Sequence, residues 1–414
     1  MGVKGLSTLS ILMPDFIGGT GIDVMHKVYG GVVKKLLHLW FDASHGAQAF
    51  SLRHVLESVN RRLTSVKPPK WVHRMPRTVS ELCHWKASEL KMWFYYYSAP
   101  VLSGILLPLY FNHYLRLILA ISLLNSQEIS LADIEKAESL IHRFVREFSE
   151  LYGQQHSTIN VHGLLHLPNC VRRLGPLWAY SCFPFEDLNG RLLRSIHGTS
   201  HLESQVAVRH CQTIKLHSKF EKLDDGSIKD FLLNSKKKQV AINERIFQGC
   251  YSVGPYGVLE DIPPVIFMAF QNLIINPISI KTYLRLLKGG KLFVSDQYDS
   301  DLKTKSSFVQ YMKDNVRKVE CLHVFVKIFN CDCRIDCQHQ PEHFAIVNEV
   351  RVTNIFDAVD DEGGSSELWH LQRSQRSNIM TAVPLRNLIN VLVYITWDGG
   401  EPLVGLPINQ QEKE

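Results

Sequence analysis

Cysteine is scarce and odd in number, nine in 414 residues, which excludes the disulfide framework of a small secreted scaffold and points to a reducing compartment, nucleus or cytoplasm. Gly (25) and Pro (17) stand at ordinary levels, which excludes collagen-like and low-complexity chains. The N-terminus lacks the basic-then-apolar pattern of a secretory leader. Met1-Gly2 is followed by Leu6 where N-myristoylation needs Ser or Thr. No long uninterrupted apolar run occurs. The most apolar stretch, Val101 to Leu124, contains Asn112, His113 and Arg116, so it reads as a buried helical hairpin rather than a membrane span. No internal repeat is visible.

What is present is a globular composition, 45% hydrophobic and 21% charged, with length for two or three domains. The net charge of +6 is mildly basic and permits nucleic-acid binding without requiring it. It is unevenly spread: residues 1–220 hold 24 Lys and Arg against 15 Asp and Glu, and the remainder 22 against 25. A surface for an anionic partner is therefore expected in the first half.

Residues 1–42 read as a short strand followed by a helix. Ile17 to Asp23 is small and glycine-rich, and from Val24 to Phe41 apolar pairs recur every four residues, a broad buried stripe at helical period. Gly30-Gly31 inside the stripe weaken helix propensity and imply close packing. Residues 43–78 read as irregular, with a surface loop at Lys67-Pro68-Pro69-Lys70. From 79 to 215 the pattern is helical. Its clearest element opens with Ser130 and Asp133 as a capping box and stops at Gly153; further helices are expected near 86–104, 108–124, 159–173 and 184–196. Residues 216–280 read as a linker or exposed arm that includes Lys236-Lys237-Lys238. Beyond it, short β-branched and aromatic runs at 291–295, 322–328, 344–347 and 391–395 predict a small antiparallel barrel or sandwich. Residues 360–366 read as an acidic loop.

Asp23 can supply hard oxygen to a divalent cation from the end of a strand, although an Asp before a helix more commonly caps it. Glu186-Asp187 open a helix whose other early residues are apolar or small, and two acids there complement a helix N-terminus. Successive helical residues point about 100° apart, so only one of the two faces a given site. His162, His166 and Cys170 share one helix face, which suits either a metal or simple packing.

Several motifs in fixed order resemble the catalytic region of CACTA (En/Spm-type) DNA transposases: Gly2-Val-Lys-Gly5, Gly21-Ile-Asp-Val-Met-His26, Leu36-Leu-His-Leu-Trp-Phe-Asp42, Ser98-Ala-Pro-Val-Leu102, Asn160-x-His162-x3-His166-Leu167, Gly175-Pro-Leu-Trp178, Ser181-Cys-Phe-Pro-Phe-Glu186 and Asn189-Gly-Arg191. The resemblance covers residues 1–215. It implies an α+β chain: a partial RNase H-like core at 1–42 carrying Asp23, a helical insertion at 43–178, closing helices at 179–215 carrying Glu186, a linker at 216–280 and a β-rich accessory domain at 281–410. The family's DDE triad holds two Mg²⁺ or Mn²⁺ ions for in-line phosphoryl transfer. Asp23 matches the second carboxylate, Glu186 the third, and His26 and His166 accompany them. Arg172, Arg173, Arg191 and Arg194 are the candidates for holding DNA phosphates. The first catalytic Asp has no clear counterpart, since the residues before Asp23 offer only Asp15.

The expectation is accordingly an N-terminally truncated or domesticated remnant of a cut-and-paste transposase, inactive in strand transfer by itself. The alternative is a non-catalytic nuclear protein that binds DNA or protein. DNA is the implied partner, with a homo-oligomer as a further expectation and no membrane. In the β-rich part, Cys331-x-Cys333-x3-Cys337-x-His339-x3-His343 offers a second candidate metal centre, with Zn²⁺ held by Cys331, Cys333, Cys337 and His339.

Overall fold

A computed structural model of the chain describes residues 8–13, 15, 18–223, 242–259, 263–270, 279–299, 303–329, 341–359, 364–396 and 400–409. The architecture is α+β. The first half is helical, and every described strand lies at or beyond Ile242. No helix among the described residues is long and apolar enough to cross a membrane.

Among the described residues before Asp23 the expected strand does not form. The described residues there form a 3-10 turn, Thr8–Ile11, and irregular chain. A strand persists only where a neighbour completes its ladder, and none of the described strands lies beside this glycine-rich segment. The amphipathic run after Asp23 is helical as its period predicts, but it starts as a π-helix, Met25–Val33, and tightens into α1, Lys34–Phe41. Gly31 marks a close approach: a Cβ there would lie 2.8 Å from the amide nitrogen of Asn160. Residues 43–78 are less irregular than expected. They contain α2, Leu56–Ser65, whose buried residues Val59, Asn60 and Leu63 fall on one face. Its polar centre hides the period, because buried Asn60 replaces an apolar residue and accepts the Val79 N–H at 2.8 Å.

The next helices follow the sequence closely. The expected 86–104 helix is a continuous run of α3 (Ala87–Met92), a π-turn and α4 (Ser98–Leu102). Then come α5, Pro108–Leu124, and α6, Leu131–Tyr152. Ser130 and Asp133 form the reciprocal capping box, and Gly153 ends α6 at φ +95°, a conformation that glycine adopts without strain. Three shorter helices follow: α7 (Ile159–Gly163), α8 (Leu167–Leu174) and α9 (Phe183–Arg194). The last of the half, α10 (Leu202–Glu221), contains no buried residue.

The sheet region begins near residue 242, inside the stretch read as a linker; Lys236–Lys238 lie outside the described residues. One antiparallel sheet joins β1 (Ile242–Phe247), β2 (Cys250–Val253), β5 (Arg285–Lys288) and β6 (Lys291–Val294). A larger one is built around the long strands β8 (Val316–Phe329), β9 (Glu342–Asn354) and β12 (Leu371–Pro384). Cys250, Leu286 and Phe293 of the first sheet share a core with Leu322, Phe325 and Val347 of the second. The two antiparallel sheets thus bury one common set of side chains. Ser365 and Ser366, read as loop, pair in a hairpin between Asp357–Val359 (β10) and Ser365–Glu367 (β11); residues 360–363 lie outside the described ones.

The helical and sheet halves are not separate beads. Phe356, Ala358, Leu371 and Leu403 belong to the same buried cluster as Trp40, Phe94 and Phe144. Arg116 of α5 reaches across to donate to the Val359 carbonyl at 2.7 Å while pairing with Glu147 of α6 at 2.5 Å.

Candidate functional site

The sequence places Asp23 directly before a helix, and there its carboxylate accepts the N–H groups of Met25 (3.3 Å) and His26 (2.9 Å) in the first turn. It does the same for a second helix. The Cys182 N–H, at the start of α9, donates to Asp23 Oδ1 at 2.8 Å. One side chain thus closes the N-termini of two helices far apart in sequence. Each such terminus presents unpaired N–H groups and a partial positive charge.

His26, one turn on, completes the arrangement. Its Nδ1 stands 2.6 Å from Asp23 Oδ2, and its Nε2 stands 3.1 Å from Glu186 Oε1. The two carboxylates singled out from the sequence therefore meet at opposite nitrogens of one imidazole. Asp23 is largely covered, with 16% of its side chain exposed, whereas His26 (63%) and Glu186 (57%) face solvent. Burial opposes ionisation of Asp23, but the N–H groups of Cys182 and His26 and the His26 ring outweigh it and hold the carboxyl below its ordinary range. The Cys182 thiol beside it is pushed up, first by burial and then by the Asp23 charge.

Cys182 is the member that motif reading missed. The available signal was its position four residues before Glu186, which puts both on one face of the first turn of α9. The ligand atoms of Asp23, His26 and Cys182 lie within 4.8 Å of one another.

As arranged, these residues do not fit Mg²⁺ or Mn²⁺. Hard cations take several open oxygen ligands, and an ionised carboxylate has about four acceptor positions. Those of Asp23 are taken by Cys182, Met25, the His26 backbone and the His26 ring. Glu186 is held on the far side of the imidazole, so the two carboxylates do not face a common space.

The remaining predicted residues are dispersed. Asp15 does not join Asp23; it pairs with Arg173 at 2.5 Å and accepts the Gly18 N–H at 2.8 Å. Arg172 pairs with Glu138 of α6, and Arg191 with Asp187 at 2.8 Å one turn back. Three of the four arginines assigned to phosphate thus face carboxylates of their own chain, while Arg194 is exposed. His162 and His166 are exposed and meet edge to face at 5.2 Å; Cys170, the third residue of that pattern, is buried. Cys331, Cys333, Cys337 and His339 lie outside the described residues. His343, the last of that motif, sits in β9 with Nδ1 3.2 Å from the Tyr283 hydroxyl, and burial lowers its pKa to about 4.

Comparison of the chain with protein-family models, curated proteins and solved structures gives no match.

Proposed function

We propose that this chain is a transposase-derived DNA-binding protein of the nucleus that does not itself carry out strand transfer. The observation that carries the reading is the meeting of Asp23 and Glu186 at His26 across 163 residues of chain. The CACTA-type motifs pick out these two acids as partners in a DDE centre, and a helical insertion between them accounts for the separation. In this reading Asp23 and Glu186 derive from an RNase H-like core. The saturation of Asp23 by N–H donors and the His26 ring, with Glu186 held on the far side of that ring, is what silences two-metal chemistry, which requires both carboxylates open to paired ions.

DNA contact is assigned to the exposed end of the helical half. With Arg172, Arg173 and Arg191 turned to internal acids, the phosphate-binding groups are Arg194 at the end of α9 and Arg209, Lys215 and Lys219 on α10, all exposed. Phosphate contact of this kind is sequence-independent and strongly salt-dependent. A protein-docking role for the same region has one observation in its favour: Leu193, Val208, Ile214 and Leu216 are each more than half exposed there.

Fluorescence anisotropy with a labelled 30-base-pair duplex tests the reading. Binding should weaken steeply between about 50 and 200 mM salt, and replacing Arg194, Arg209, Lys215 and Lys219 by Ala should flatten that dependence. Lack of binding at the lowest salt overturns the DNA assignment in favour of docking. Mn²⁺-dependent nicking that disappears in Glu186→Gln overturns the non-catalytic one.

A further inference from the structure

We propose that Asp23, His26 and Cys182 form a binding site for a borderline cation of the Zn²⁺ class, with Glu186 orienting the imidazole from outside the ligand shell. The inference rests on the donor atoms themselves and stands whether or not the chain descends from a transposase.

The chemistry of the set decides the metal. Thiolate, imidazole and a single carboxylate oxygen suit Zn²⁺, whereas hard ions favour oxygen alone. Zn–S bonds of about 2.3 Å and Zn–N or Zn–O bonds of about 2.0–2.2 Å place tetrahedral ligand atoms roughly 3.3–3.8 Å apart. The three ligand atoms lie within 4.8 Å of one another before any metal enters, so closure needs a shift of about an ångström. The two segments that supply them are already fixed to each other by the Cys182 N–H to Asp23 bond.

The hydrogen-bond pattern shows how the ion fits without leaving polar groups unpaired. Asp23 Oδ2 and His26 Nδ1 face each other at 2.6 Å, and a cation between them takes the place of the shared proton. Asp23 keeps its backbone donors, Cys182 and Met25 on Oδ1 and His26 on Oδ2. His26 then binds as neutral imidazole through Nδ1, with its proton on Nε2 donated to Glu186 Oε1, which already stands 3.1 Å away. A ligating histidine whose other nitrogen is held by a carboxylate is the usual outer-shell arrangement of zinc sites. Cys182 binds as thiolate, its proton leaving to solvent. Three protein ligands leave a fourth position, which the exposed His26 side of the site opens to water.

The test uses the full chain and Co²⁺ as a spectroscopic substitute for Zn²⁺. Wild type should show a near-ultraviolet thiolate-to-Co²⁺ absorption and tetrahedral visible bands, both removed by added Zn²⁺. Cys182→Ser and His26→Ala should each lower tightly bound metal by one equivalent, while the triple variant Cys331→Ser, Cys333→Ser, Cys337→Ser should keep that equivalent. Glu186→Gln should still bind, about 10–100-fold more weakly. If Cys182→Ser fails to fold, His26→Ala decides, because that ring is mostly exposed. Unchanged stoichiometry in both single variants overturns the proposal, as does loss of all bound metal in the triple variant.

Discussion

Asp23 Oδ1 accepts the backbone N–H of Cys182 at 2.8 Å, joining residues 159 apart in the chain. The same carboxylate closes the helix that follows it, so two helix starts depend on one acid. Asp23→Ala should therefore remove two caps at about 1 kcal/mol each and lower stability by roughly 2 kcal/mol. Urea denaturation of the two proteins at pH 7 checks this; an unchanged midpoint would mean that water replaces the carboxylate without loss.

The lowered pKa of Asp23 has a consequence for acid stability. A carboxylate depressed in the fold contributes stability above its unfolded value, near 3.8, and loses it as pH falls through the folded value. The difference in stability between wild type and Asp23→Asn should shrink as pH is lowered from 5 toward 3. A constant difference would assign the effect to packing.

His113 and His370 act in the same sense, over a higher pH range. Both are fully buried, each holds a backbone oxygen with Nε2, Phe144 at 2.9 Å and Tyr95 at 3.0 Å, and each Nδ1 has no partner among the described residues. Burial lowers both to about 4. Between pH 6.5 and 4 the unfolded chain takes up protons that the folded one refuses, so stability falls on acidification, by roughly 3 kcal/mol per histidine at the lower limit. Unfolding followed at pH 7, 6 and 5 should show the slope, and His370→Gln should make it shallower.

Glu147 lies between Arg116 at 2.5 Å and Arg143 at 2.7 Å, and both guanidiniums also reach the Val359 carbonyl. Burial opposes its charge, yet the two arginines hold its carboxyl low. Glu147→Ala removes the acid from a largely covered pair of cations and should cost about 3 kcal/mol, seen as a lowered thermal midpoint. Because the contact ties helix to sheet, hydrogen exchange near Val359 should quicken as well.

Gly31 packs its bare Cα against Asn160 and the His26 carbonyl. A methyl group there meets atoms under 3 Å away, and overpacking of this kind costs about 1–3 kcal/mol. Gly31→Ala should be destabilised despite its better helix propensity, whereas Gly30→Ala, whose nearest contact is 3.4 Å, should be close to neutral. Equal midpoints for the two variants would contradict the packing.

The sequence by itself determined most of the helices, because their signals are local; α2, whose period buried Asn60 hides, is the exception. Pro108 opens α5, Ser130 and Asp133 cap α6 reciprocally, and Gly153 ends it in a conformation other residues resist. The motif order singled out Asp23 and Glu186, and in the fold both carboxylates contact His26. Tertiary structure decided what depends on distant partners. Among the described residues the segment before Asp23 joins no ladder, while residues 242–258, which look like linker, find partners and become strands. Pairing energy in a sheet is non-local, so neither outcome is written in the segment itself. The same holds at the site. Only the folded chain turns three arginines toward internal acids, sets Cys182 beside Asp23, and places His26 between the two carboxylates. An N–H or imidazole filling a carboxylate's acceptor positions is a matter of ångströms, and spacing along a sequence carries no such measure.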